Sequence, residues 1–328
     1  MTADPGDRDT GRRRLLTRRE VVAAIGGATA ASTVGASDGG AAAGEATMHV
    51  RVYPGPVPLR AWARYGFEGM RDNWPPPFRS ATEAVESALT DVLRYAQDRS
   101  RLPDAEVRVE RGELVRYPLS AASLSTESIV PSRETVLDVF RDQIHNRERD
   151  RDRDRDRAAA GQSNTTCHLL LCWAPFNYRI GYGGTHPSIG LLGSESDNGA
   201  YTAANVGATA LWDSRAVTRN IAIHEVLHTF ISSDVAEAVS GSSCDHDLGT
   251  ARRTADDTLT VSPMATAYAG TDDLDAGTRW QGRGCGDHDR FSHHDGHEGI
   301  DQFSYTTEPS AATCEAVTQY LEGRPGRS

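Results

Sequence analysis

Lysine is absent from this 328-residue chain: every basic residue is arginine, and Asp and Glu outnumber them for a formal net charge of −11. An acidic, lysine-free surface suits high salt, because carboxylates hold hydration where lysine stems add apolar area. The same balance argues against a nucleic-acid partner, since phosphate neutralisation needs a stripe of cations and no basic stripe occurs. Long apolar runs are missing too. The Ala/Gly-rich stretch from Ala23 to Val34 is too short and too mild for the roughly 20 apolar residues of a spanning helix, and no other segment approaches that length, so no membrane span is expected. Cysteine is scarce, at five residues, and no CxxC pair is present, so a structural zinc finger is not supported.

What is present begins with the segment Thr17-Arg18-Arg19-Glu20-Val21-Val22 ahead of that Ala/Gly stretch. It resembles a twin-arginine export signal, which implies a secreted, extracellular protein, with cleavage among the small residues between Ala36 and Ala46. No cysteine lies there, so a lipobox-type anchor is not expected. In an exported chain, Cys167, Cys172, Cys244, Cys285 and Cys314 predict one or two disulfides with a thiol left over. Cys167 and Cys172 are five apart in an apparent strand and so face opposite sides, which disfavours a mutual bridge. A bridge between two of the other three would pin a long C-terminal segment. Asn164-Thr165-Thr166 is a glycosylation sequon on an expected surface loop.

The most informative stretch is His224-Glu225-Val226-Leu227-His228. On a helix, residues four apart stand one turn above each other on one face, so both imidazoles can reach one ion. Glu225 lies beside them, where a carboxylate can take a proton from an attacking water and pass it to a leaving amine. Asn220 is a candidate N-cap, and Ile221, Ile223, Val226, Leu227, Phe230 and Ile231 form the apolar body. Zn2+ is the expected cofactor.

Two residues compete for the third ligand position, with the later histidines, His288 to His297, behind them. Asp234 has the spacing of an HExxHxxGxxD pattern, but Ile231 stands where the glycine would be. That glycine permits a left-handed turn, and a β-branched residue there would be strained. His246, in Ser243-Cys244-Asp245-His246-Asp247-Leu248-Gly249, has no such constraint. It is flanked by two aspartates able to orient an imidazole, and is the favoured third ligand. Further on, Ser262-Pro263-Met264-Ala265-Thr266-Ala267-Tyr268 places one of only four methionines in a tight turn.

HEVLH, DHDLG and SPMATAY together, over about 50 residues, resemble a divergent metzincin-like zinc metalloprotease. The resemblance implies a methionine turn forming an apolar floor beneath the metal, although the tyrosine that usually follows by two residues is Thr266 here. It also implies that an edge strand beside the zinc helix pairs with an extended peptide.

The rest of the chain reads as an α/β upper lobe. Alternating strands are predicted at Met48–Tyr53 and Glu106–Glu110, and a buried strand at Cys167–Ala174. Helices are predicted at Ala81–Gln97, capped by Ser80, and at Ser132–His145, followed by an Arg/Asp alternation from Arg147 to Arg157 that reads as a solvated loop or helix extension. Tyr182 to Gly207 is the candidate cleft wall. The expected fold is a metzincin-like mixed twisted sheet with two packing helices, one of them the HExxH helix, and an irregular, loop-rich C-terminal lobe. The expected boundaries are 1–45 for the export signal and tether and 46–328 for one peptidase domain, with lobes at 46–235 and 236–328. The Asp287 to Glu298 histidine cluster reads as a solvated acidic loop, and Ala311 to Leu321 as a closing helix.

The functional expectation is a secreted, monomeric zinc metalloendopeptidase acting on a peptide or protein substrate. His224, His228 and His246 would hold the metal and Glu225 would act as general base, then acid. The alternative is an exported zinc-binding or scaffold protein with a decayed peptidase site; the retained Glu225 argues against it.

Overall fold

Parallel pairing of buried strands sets the frame. The computed structural model describes residues 47–70, 74–116, 133–155, 167–173, 183–185, 199–207, 215–265, 290–296 and 298–323, all inside one compact unit, Ala43–Ser328. The twin-arginine segment, the sequon, Cys285, Thr266, Tyr268, His288 and His297 lie outside the described residues.

The first sheet has five strands: β1 (Thr47–Pro54), β2 (Glu106–Arg111), β3 (Cys167–Cys172), β4 (Gly183–Thr185) and β5 (Ala200–Asn205). Their order is β2-β1-β3-β5-β4, with β1, β2, β3 and β5 parallel and β4 antiparallel at one edge. Central β3 is buried at every position, as expected of a strand covered on both faces. Its period-two alternation sends Cys167, Leu169 and Leu171 into one cluster and Leu170 and Cys172 into the other. The two thiols therefore do point apart. Burial raises the Cys167 thiol to about 12, so it packs as a small apolar group. Truncating a buried leucine such as Leu169 to alanine would cost about 2–5 kcal/mol.

The helices are α1 (Leu59–Gly69), α2 (Pro76–Gln97), α3 (Arg133–Arg155), α4 (Arg215–Leu227), α5 (Ser233–Ser240) and α6 (Ala311–Glu322). The α2 helix begins five residues before the expected Ala81. Pro76 and Pro77 occupy its first positions, where their fixed φ suits a helix start and their missing N–H has no intrahelical partner anyway. Ser80 is thus inside α2, not its cap, and its hydroxyl accepts from Arg219 Nε of α4 at 2.6 Å. The α3 helix runs on through the Arg/Asp alternation as far as Arg155.

Asn220 is likewise not a cap. The α4 helix starts at Arg215, and Asn220 is buried within it, donating from Nδ2 to the carbonyls of Thr306 (2.9 Å) and Val261 (3.4 Å). A residue expected to start α4 instead fastens that helix to the C-terminal segments at Val261 and Thr306.

That lobe corrects a further expectation. It is not irregular throughout: β6 (Thr250–Ala255), β7 (Thr258–Val261), β8 (His293–His294) and β9 (Gln302–Tyr305) form a mixed sheet in the order β8-β6-β7-β9. Single alternations of only two to six residues carry too little periodic signal to stand out from polar loops. His293 and His294, expected on a loop, pair with Thr250 and Ala251. The protein is therefore a mixed α/β structure with two sheets. Among the described residues, no helix is long and apolar enough to cross a membrane.

Candidate metal centre

The α4 helix carries His224 and Glu225 on buried turns and then tightens into a 3-10 turn, His228–Phe230, which keeps His228 above His224. The two Nε2 atoms lie 2.9 Å apart. Each ring is fixed from behind through its other nitrogen. His224 Nδ1 lies 2.6 Å from the carbonyl oxygen of Pro263, and His228 Nδ1 lies 2.5 Å from a carboxylate oxygen of Asp245. An oxygen acceptor at Nδ1 demands a proton there, which leaves Nε2 as the coordinating atom in the neutral ring.

The chain leaves the 3-10 turn without the strained conformation that the missing glycine raised. Ile231 is extended, at φ −133° and ψ 119°, and α5 then begins. Asp234 sits exposed in the first turn of α5, where a hydrogen bond from Ser232 lowers its carboxyl below the usual range. It belongs to the start of α5, not to the histidine cluster.

His246 comes back to the cluster on a second 3-10 turn, Asp245–Leu248. Its ring centroid lies 5.1 Å from that of His224 and 4.9 Å from that of His228. One nitrogen from each of the three rings falls within 4.8 Å of the other two. Of the two flanking aspartates, Asp245 supplies the orienting contact: one oxygen meets His228 and the other lies 3.4 Å from His246 Nδ1. Asp247 is buried, and its carbonyl accepts from Ser292 N–H.

The electrostatics separate the three rings. Burial, with the neighbouring His228 and His246, pushes His224 well below the ordinary histidine value. Burial acts the same way on His246, bringing it down to about 4. Burial also works against the His228 cation, but the Asp245 carboxylate outweighs it and raises His228 to about 9. Burial works to raise Asp245, yet the His228 charge holds its carboxyl well below the carboxylate range.

The Pro263 carbonyl is delivered by a turn clasped to β6. Ser262 N–H donates to Thr250 O at 2.9 Å, Thr250 N–H donates to Ser262 Oγ at 2.8 Å, and Ala265 N–H closes the turn on Ser262 O at 3.1 Å. Met264 within it is fully buried. Gly249 packs directly against this turn: a Cβ there would meet Ala265 N at 2.0 Å and Met264 C at 2.6 Å. Glu225 is buried beside the rings, with one carboxylate oxygen near the hydroxyls of Thr202 (3.3 Å) and Thr185 (3.4 Å). Sequence reasoning did not find Thr185, Thr202 or Gly249. A short Gly-Gly-Thr in a turn-rich stretch and a glycine after DHDL were the available signals.

The donor set suits a borderline cation such as zinc: three imidazoles, two with their far nitrogens hydrogen-bonded to oxygen. A tetrahedral ion with bonds of about 2.0–2.1 Å separates its nitrogens by about 3.3 Å, so His224 and His228 are already near that spacing.

No family model matches the chain, and no curated protein matches it. A solved chain described as "Structure of a chaperone-substrate complex" is similar over 84% of this chain, at 11% identity and a TM-score of 0.30. The match spans about a third (35%) of that chain, and a likeness this weak carries no argument about fold or function.

Proposed function

We propose that the protein is a zinc-dependent metalloendopeptidase, with His224, His228 and His246 as metal ligands and Glu225 as general base and acid. One observation carries the reading. Two imidazole Nε2 atoms face each other at 2.9 Å with both Nδ1 atoms committed to oxygens, and a third ring closes on them. Two nitrogen lone pairs at that distance repel unless a positive charge lies between them, as a proton or a metal ion.

A zinc ion held there would supply Lewis acidity toward a carbonyl oxygen and a lowered pKa for water. Everything else falls to the chain. His224 and His228 present Nε2 because Pro263 and Asp245 hold their opposite nitrogens. Glu225, adjacent to a ligand but not one of the converging nitrogens, takes the proton of the attacking water and returns it to the departing amine nitrogen. Among the described residues β4 is the end strand of the first sheet, and an extended peptide would pair along it. The resemblance of HEVLH, DHDLG and SPMATAY to metzincin-like proteases supports this assignment, as does the antiparallel edge strand beside α4. The twin-arginine-like segment adds secretion to the proposal.

The test is metal content and peptide hydrolysis of the mature chain in high salt, beside Glu225→Gln. The wild type should bind about one zinc and cut peptides; the variant should bind the same zinc and lose activity by a factor of about 10² or more. A variant that turns over peptides at the wild-type rate would sink the assignment. Zinc binding without hydrolysis by the wild type would favour a zinc-binding or scaffold role.

A further inference from the structure

Gly183 and Glu225 approach so closely that a side chain at position 183 would have to displace the Glu225 carboxylate. A Cβ built on Gly183 would lie 2.3 Å from Glu225 Oε1, 2.5 Å from its carboxyl carbon and 2.6 Å from its Cγ. The backbone does not require glycine there. Gly183 is an ordinary strand residue paired with Ala204, and it is not among the glycines with positive φ. The three atoms nearest to that Cβ all belong to the Glu225 side chain.

Residues 183 and 185 share one face of β4 by the strand's alternation, and that face meets Glu225. Thr185 lies opposite Thr202 of β5, their hydroxyls 2.9 Å apart, and both reach the same Glu225 oxygen. The proton count is restrictive. Two hydroxyls own two protons, and the acceptors in reach are each other, the carboxylate and the Gly184 carbonyl, 3.2 Å from Thr202 Oγ1. The carboxylate is the strongest of these acceptors, and both hydroxyls are placed to donate to its Oε2. At 3.3 and 3.4 Å these contacts are long, as catalytic hydrogen bonds often are before substrate binds.

We propose that the β4–β5 pair is the positioning device of Glu225. Thr202 and Thr185 hold its Oε2, and Gly183, having no side chain, lets β4 lie directly against the carboxylate. In the peptidase reading, on which this role rests, the strand that offers its outer edge to a peptide also sets the general base from its inner face. Thr185, Thr202 and Gly183 are positioning residues, acting through Glu225.

Two measurements test it. The first needs no activity: melting temperatures of the full-length metal-free chain as wild type, Gly183→Ala, Glu225→Ala and the double variant. Gly183→Ala should lower the melting temperature by several degrees, and most of that loss should vanish once Glu225 is truncated. Where Gly183→Ala does not fold, recovery of a folded chain in the double variant is the same coupling. Additive effects, or a double variant that also fails to fold, would overturn the proposal. The second is kinetic. Thr202→Val should keep full zinc and a KM within about two-fold of wild type, while kcat falls about ten-fold or more and Thr202→Ser restores it. An unchanged kcat in Thr202→Val would overturn the hydroxyl role. A wild type that cuts no peptide sinks the peptidase reading instead, and the melting cycle still decides whether β4 is fitted to Glu225.

Discussion

His224 Nε2 and His228 Nε2 face each other at 2.9 Å, and their surroundings shift the two rings in opposite directions. His228 is raised to about 9 by Asp245, whereas burial keeps His224 well below the ordinary histidine value. At neutral pH the metal-free protein is expected to hold a proton between these two nitrogens, donated by His228 to His224. A metal ion entering the site must displace it.

Zinc binding at pH 7 should therefore release about one proton from the histidine set. His224 is already neutral, and so is His246 at about 4. The sign follows from the directions: a raised His228 is protonated before binding and deprotonated after it. Calorimetry in two buffers of different ionisation enthalpy reads the number. His228 in the Asp245→Asn variant should lose its raised value, and the release at pH 7 should fall. Equal release from both proteins would contradict this account.

The third ligand can be decided by affinity. His246→Ala should weaken zinc binding by a factor of 10² or more, of the order expected when one of three protein ligands is lost, whereas Asp234→Ala should leave it within about two-fold. Asp234 lies exposed at the start of α5, so its removal should register only as a small change in stability. Competition with a chromogenic chelator gives both constants. The reverse order would return the third position to Asp234.

Glu110 offers a pH test away from the site. Arg51, at 3.0 Å, lowers its carboxyl to about 2, with burial opposing and His49 adding to the effect. A depressed acid stabilises the fold above its unfolded value and loses that contribution as pH falls through the folded one. Glu110→Gln should then cost about 1 kcal/mol at pH 7, after allowance for solvent screening, and the gap should close between pH 4.5 and about 2. Chemical denaturation at pH 7 and at pH 3 measures it; a gap that widens in acid would reverse the sign.

Export is tested in the producing cell. Arg18→Lys with Arg19→Lys should leave unprocessed precursor inside, because a twin-arginine signal depends on that pair. Normal amounts of processed protein outside the cell would refute the reading of the N-terminal segment.

Local chemistry made several features legible in the sequence. His224 and His228 share a face because residues four apart on a helix must, and that follows from five letters. The β1 and β3 strands were visible because alternation and a continuous apolar run are properties of the segments themselves. The start of α2 was placed five residues late because Ser80 has the side chain of an N-cap, whereas the prolines before it form the helix's first turn. Asn220 was misread because N-cap chemistry and a buried amide bridging two carbonyls use the same side chain.

The remainder belonged to the tertiary structure. Asp245 stands 17 residues from the histidine it orients, Pro263 stands 39 from His224, and Thr185 and Thr202 stand 40 and 23 from Glu225. No periodicity links positions so far apart. They meet because the C-terminal sheet clasps the Pro263 turn to β6 and because β4 pairs with β5 over α4. The sequence alone determined which residues could bind a metal and donate a proton. Only the folded chain decided which oxygens fix their tautomers, which third ring joins them and why a glycine faces the carboxylate, because those choices depend on loops closing over many residues and on a strand packing against a side chain without room for a methyl group.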